Sequence, residues 1–179
     1  MGFWASMVDT SLFVYYSKTI TLYLLIYVDG ILLVENSKNA INYYIMELSR
    51  HFSLKDLRPT NFFLDIEFIR HPHGILLSQQ QYITDILQRA HMESAKPISS
   101  PMEVNTKLSQ YSGHPLDDPT KYRNIVGVVQ YVAITRLDIS FAVSKASQFL
   151  QSPTDEHWMV VKRILRYLKH IVMHGLNLS

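Results

Sequence analysis

Cysteine is absent from the 179 residues, which excludes disulfides, iron–sulfur clusters, thiol nucleophiles and cysteine zinc sites. Charge is also sparse. Asp, Glu, Lys and Arg make up 18% of the chain, against the roughly 25% usual for soluble domains, so some apolar surface is expected to be covered by another body. No apolar run is long enough for a membrane span, because the longest, residues 20–34, is interrupted by Asp29-Gly30. Residues 1–7 lack a basic stretch leading into an apolar one, so no signal peptide is expected. The chain reads as soluble and intracellular, cytoplasmic or nuclear, not secreted and without a membrane partner.

Apolar residues make up 47%, enough to bury the core of one domain, or of one domain with a helical annex. The net charge of +2 hides an asymmetry. Residues 1–120 hold 9 of the 17 basic and 12 of the 15 acidic side chains, leaving 8 basic and 3 acidic in residues 121–179. A basic C-terminal third suits a polyanionic partner.

Residues 11–16 are rich in aromatic and β-branched side chains and read as a strand. Two apolar runs, 19–27 and 31–35, flank Val28-Asp29-Gly30, and Asp-Gly between such runs signals a hairpin turn. Ile41, Tyr44, Ile45, Leu48 and Phe52 then recur at helical spacing, predicting a helix over 37–51. A second hairpin is expected from 61–70 and 75–78, turning at His71-Pro72-His73-Gly74. Ser78 precedes Gln81 at capping-box spacing and opens a helix to about residue 91. Four of the seven prolines (97, 101, 115, 119) fall in residues 95–119, predicting a tether. Three amphipathic helices follow. Their expected starts are just before Tyr122, at Thr135 with Asp138, and at Ser152-Pro153 with Pro at the first helical position.

By local pattern alone, Tyr27-Val28-Asp29-Gly30 is an ordinary hairpin turn. The order and spacing of other stretches give it a second meaning. They include Asp9-Thr10-Ser11-Leu12-Phe13, Phe52-Ser53-Leu54-Lys55-Asp56-Leu57, Phe63-Leu64-Asp65-Ile66-Glu67, Leu77-Ser78-Gln79 and Pro101-Met102. Further on stand Tyr122-Arg123, Gln130-Tyr131, Thr135-Arg136-Leu137-Asp138-Ile139, Ser147-Gln148-Phe149, His157-Trp158 and residues 162–169. Together they resemble the C-terminal half of the reverse transcriptase domain of copia-type LTR retrotransposons.

The resemblance implies an α+β fold. A partial palm over residues 1–94 would be joined by a Pro/Ser-rich tether (95–118) to an all-helical thumb/connection-like lobe (119–179). It also implies RNA-directed DNA polymerase chemistry on an RNA/DNA template–primer, with Mg2+ held by carboxylates of adjacent palm strands. Asp29 would be the remaining catalytic and metal-holding aspartate. Gly30 replaces the second Asp of the motif, although it suits a tight turn, and an earlier palm carboxylate is expected outside these residues. Glycine is usual in the family where this chain has Arg58, Asp65 and His170, and proline where it has Leu137.

The expectation is therefore a degenerate chain that does not polymerise alone. The alternatives are a non-catalytic nucleic-acid-binding or interaction module, and a translated relic. Lys162, Arg166 and Lys169, with Arg163 beside them, form a basic helix face, read either as a solvated surface or as phosphate contacts. The pairs His71/His73, His170/His174 and Asp65/Glu67 read as ordinary polar surface. An uncovered sheet face around Phe13, Leu25 and Ile31 would favour self-association.

Overall fold

The computed structural model describes residues 2–28, 30–35, 38–55, 61–103, 106 and 108–179. It is mixed α and β, with antiparallel sheets and five α-helices among the described residues, in two compact units, Met1–Phe63 and Leu64–Ser179. Among the described residues no helix is long and apolar enough to cross a membrane.

The first unit holds β1 (Trp4–Ala5), β2 (Leu12–Tyr16), β3 (Thr21–Tyr27) and β4 (Gly30–Glu35), paired in that order, then α1 (Lys38–Ser49) and a short β5 (Phe62–Phe63). Directly paired residues share a face, so Phe13, Leu24 and Leu33 line one side, where α1 covers Leu22 and Leu24 with Tyr44 and Leu48. Phe3, Tyr15 and Tyr44 close that core with rings 5.5–5.9 Å apart. The opposite side carries Trp4, Tyr16, Tyr23, Tyr27 and Val34, all 45–65% exposed. Leu25 belongs to this open side, but Phe13 does not. Ile31 is exposed at the end of the α1 side, opposite Ile26. Strand alternation thus divides the three residues expected to form one patch.

The second unit begins with Leu64 and Asp65, a turn with both residues at positive φ (49° and 57°), as a type I′ turn requires. That turn interrupts the strand expected over 61–70, and Asp65 stands where the family usually has glycine. β6 (Ile66–His71) and β7 (Gly74–Ser78) form the second hairpin, and β8 (Leu176–Leu178) pairs with β7. Gly74 has no substitute here. Its φ is 145°, and a Cβ would lie 2.1 Å from the Leu178 carbonyl oxygen.

Four helices, α2 (Gln80–Arg89), α3 (Pro119–Val132), α4 (Ser140–Ser147) and α5 (Asp155–His170), enclose one core containing Ile83, Ile86, Val129, Ile139, Val161 and Leu165. Helix α2, expected with the palm, therefore packs among the C-terminal helices. Tyr122 is fully buried, donates to the Ala146 carbonyl at 2.7 Å, and its hydroxyl pKa is pushed up to about 12 by burial.

Helix starts are displaced by a residue or more from the expected caps, although Ser78 Oγ still accepts from the Gln80 amide that opens α2, at 3.3 Å. The N-cap of α2 is Gln79, whose Oε1 accepts from the buried Thr135 hydroxyl at 2.6 Å. Thr135 therefore caps nothing, and α4 starts after a 3-10 turn over Leu137–Ile139. At α5 the cap is Thr154, one residue beyond Pro153, because its side chain completes a capping box with His157.

That histidine is fully buried and stacks on Phe149 at 3.8 Å. Its Nδ1 accepts from the Thr154 amide at 2.9 Å, which leaves the proton on Nε2, 3.2 Å from the Ser109 carbonyl. Desolvation lowers its pKa below the ordinary 6.5, outweighing the Ser109 bond and the nearby Glu156 and Asp155. As pH falls through 6.5 the unfolded chain takes up a proton that the folded ring refuses. Thermal melts from pH 7.5 to 5.0 should therefore show stability declining below about pH 6.5. His157→Gln should flatten that slope, and an unchanged slope would contradict this account.

Candidate nucleic-acid interface

Two regions carry the functional expectations, one in each unit. In the first unit, β3 and β4 form the expected antiparallel hairpin, with Leu22 opposite Glu35, Leu24 opposite Leu33 and Tyr27 opposite Gly30. Gly30 is thus the first residue of β4, not a turn residue, and its φ is not in the left-handed region. This pairing sets Leu33 opposite Leu24, where Leu33 packs against the core that α1 covers. Nothing in the backbone requires glycine here. A Cβ at Gly30 would meet Phe63 Cε2 at 3.3 Å, so a side chain fits if that ring moves by a few tenths of an ångström.

Asp29 lies outside the described residues. Of its neighbours at the hairpin end, Tyr27, Val28, Gly30 and Ile31 supply no carboxylate. Asp9 precedes β2 at the same end of the sheet, and its Oδ1 accepts from the Ser11 amide at 2.8 Å. Among the described residues no three His, Asp or Glu side chains converge as metal ligands. The described donors at this end of the sheet do not by themselves make up a two-magnesium site.

In the second unit, α5 presents the predicted basic residues, but three of the four meet a segment of their own chain. Arg163 donates to Glu103 Oε1 at 2.6 Å and to Ser100 Oγ at 3.0 Å. Arg166 Nε donates to the Lys96 carbonyl at 2.7 Å, and Lys169 Nζ donates to the carbonyls of Ala95, at 2.9 Å, and Glu93. Further along, His157 meets Ser109, and Asp155 exchanges bonds with His114 (its Oδ1 accepts at 2.9 Å, its amide donates at 2.9 Å). The segment expected to be a tether is thus laid along α5, its start at the C-terminal end of the helix and its finish at the N-terminal end.

Lys162 is different. It is exposed, and its ammonium lies 6.0 Å from the centroid of the Trp158 indole. Lys121, near the start of α3, reaches the same ring at 5.5 Å. Lys121 is absent from the sequence-based set because α3 and α5 are far apart in the chain. Only the Trp158–Lys162 spacing of four was readable.

In Thr135-Arg136-Leu137-Asp138-Ile139 the side chains of Thr135, Arg136 and Ile139 are buried, while Leu137 and Asp138 reach the surface. The guanidinium of Arg136, 8% exposed, forks onto Asp138 (3.0 and 2.8 Å) and donates to the carbonyls of Ile171 (3.2 Å) and His174 (3.3 Å). Asp138 also accepts from the Tyr167 hydroxyl at 2.6 Å. Burial raises the Asp138 pKa, but the Arg136 and Tyr167 bonds outweigh it and hold it below 3.8. Of the histidine pairs, His71 bonds Asn177 at 2.9 Å, and His170 is exposed.

Comparison with known proteins places these features in a family. A family model described as "Reverse transcriptase (RNA-dependent DNA polymerase)" matches residues 1–104. The retrovirus-related Pol polyproteins from transposons RE1 and RE2 of Arabidopsis thaliana are 48% and 45% identical to all 179 residues. The Pol polyprotein from transposon TNT 1-94 of Nicotiana tabacum is 37% identical over 165 residues, 86% of this chain. In each case the match spans about 12% of the relative's length. No solved structure matches. By the family model and by full-length identity to copia-type Pol polyproteins, the chain belongs to the reverse transcriptase (RNA-dependent DNA polymerase) family.

Proposed function

We propose that these 179 residues serve the template–primer-binding part of a copia-type reverse transcriptase and do not polymerise by themselves. In this reading the first unit is part of the palm, and the helices of the second are thumb and connection. Gly30 carries the proposal: it offers no oxygen where the family's motif has a second aspartate, on the opening residue of β4. With Asp29 the one carboxylate of that turn, no reaction step through a metal pair is derived from this chain.

Primer extension tests this. The purified chain, given an RNA template, a DNA primer, nucleotides and either magnesium or manganese, should yield no extended product. Gly30→Asp should fold, since only the Phe63 ring must yield, and should also give none. In the family the partner carboxylate comes from a different palm strand, which these 179 residues do not supply. Template-dependent extension by the unmodified chain would overturn the reading.

A further inference from the structure

We propose that Lys121, Trp158 and Lys162 form a contact site for the phosphate backbone of nucleic acid on the outer surface of the second unit. The proposal deepens the template–primer reading above and rests on it. Both ammonium groups lie within 6.0 Å of one indole centroid. The ring thus gathers two cations from different helices around itself. Both lysines are exposed, and among the described residues neither ion-pairs with a carboxylate. By contrast, Arg163, Arg166 and Lys169 already hold the 93–103 segment.

The indole itself is half-buried and braced by the buried ring of Tyr122, 6.4 Å away, so the platform is rigid while its cations are free. Nucleic acid offers both things this arrangement can take: phosphates for the two ammonium groups, and a flat sugar or base face for the ring edge. An acidic peptide would use only the charges. Asp117 and Asp118 precede α3, but Asp118 Oδ1 is committed to capping, accepting from the Thr120 amide at 2.8 Å.

The test is fluorescence anisotropy with a labelled RNA–DNA hybrid oligonucleotide, using the full chain over a salt series. Lys121→Ala with Lys162→Ala should weaken binding about tenfold at low salt and shallow the log–log salt slope by about two units at most. Thermal melting should not change, because these side chains satisfy no buried group. Trp158→Phe, which keeps a ring, should give an intermediate loss. Wild-type affinity and slope in the folded double variant, with hybrid binding intact, would overturn the site and leave the template–primer reading standing. No hybrid binding by the wild-type chain even at low salt would overturn that reading, and this site with it. A polyglutamate peptide that binds as tightly and is lost with the same substitutions would overturn the assignment to nucleic acid.

Discussion

Replacing Arg136 with methionine should destabilise the second unit by about 2 kcal/mol, below the ~3–5 kcal/mol for removing one partner of a fully buried ion pair, because the Asp138 carboxylate left behind is partly solvated. The change keeps the side chain's length and deletes its charge. Asp138 then loses both forked bonds, and the His174 carbonyl loses its Arg136 donor, while the Ile171 carbonyl keeps only the His174 amide and ring. Arg136→Lys should recover only part of the loss, since a point charge cannot span a carboxylate and two carbonyls at once. Asp138→Asn should cost less than Arg136→Met, because its amide oxygen can still accept from Arg136 and Tyr167. Urea melts of the three variants check this ranking. A loss under 1 kcal/mol for Arg136→Met would show that the Arg136 bonds do not hold the helices.

Alanine at Arg163, Arg166 and Lys169 together should act on stability rather than on nucleic-acid binding. Their charged donors hold Glu103, Ser100 and the carbonyls of residues 93, 95 and 96, and bonds of this kind contribute about 1.5–3 kcal/mol each when protected. All three side chains are partly exposed, which brings the expected total down to about 3 kcal/mol. Limited proteolysis should then cut within residues 93–103, because the segment loses its attachment before α5 loses its core. Measured below the melting transition, the salt slope for the RNA–DNA hybrid should match wild type. A slope shallowed by three units with unchanged stability would restore these residues to the phosphate interface.

Legibility in the sequence followed the kind of force involved. The β3–β4 hairpin could be read because two apolar runs flank a short turn signal, and the even-numbered β3 residues Leu22 and Leu24 are indeed buried together. Even there, the Asp-Gly signal put Gly30 in the turn, whereas it pairs with Tyr27 as the first residue of β4. The α3 and α5 stripes were visible as helical periodicity, and Tyr122, Ile125, Val129, Val132, Val161, Leu165 and Leu168 are all buried. The course of residues 93–116 was not visible. A guanidinium or ammonium can bond any backbone carbonyl, so nothing in the sequence marks Lys96 as the partner of Arg166 across 70 positions. The same blindness hid the second lysine on Trp158. The basic stripe was therefore legible as a charged surface, while its division between internal fastening and open cation depends on contacts between distant parts of the chain.

The short strand β8 sets the order in which the molecule can assemble. It pairs Ile75 with Leu178 and Leu77 with Leu176, contacts that close a loop of about a hundred residues. The first unit has no such requirement, since β2, β3 and β4 are joined by short turns. Local pairing is fast and distant pairing slow, so during refolding the N-terminal sheet should form while the second sheet still waits for its last strand. On a ribosome the wait is longer, because the residues of β8 are synthesised after all four helices they must reach past. Until then β7 presents an unpaired edge, and Gly74 and Gly175 keep open the narrow approach that β8 later fills.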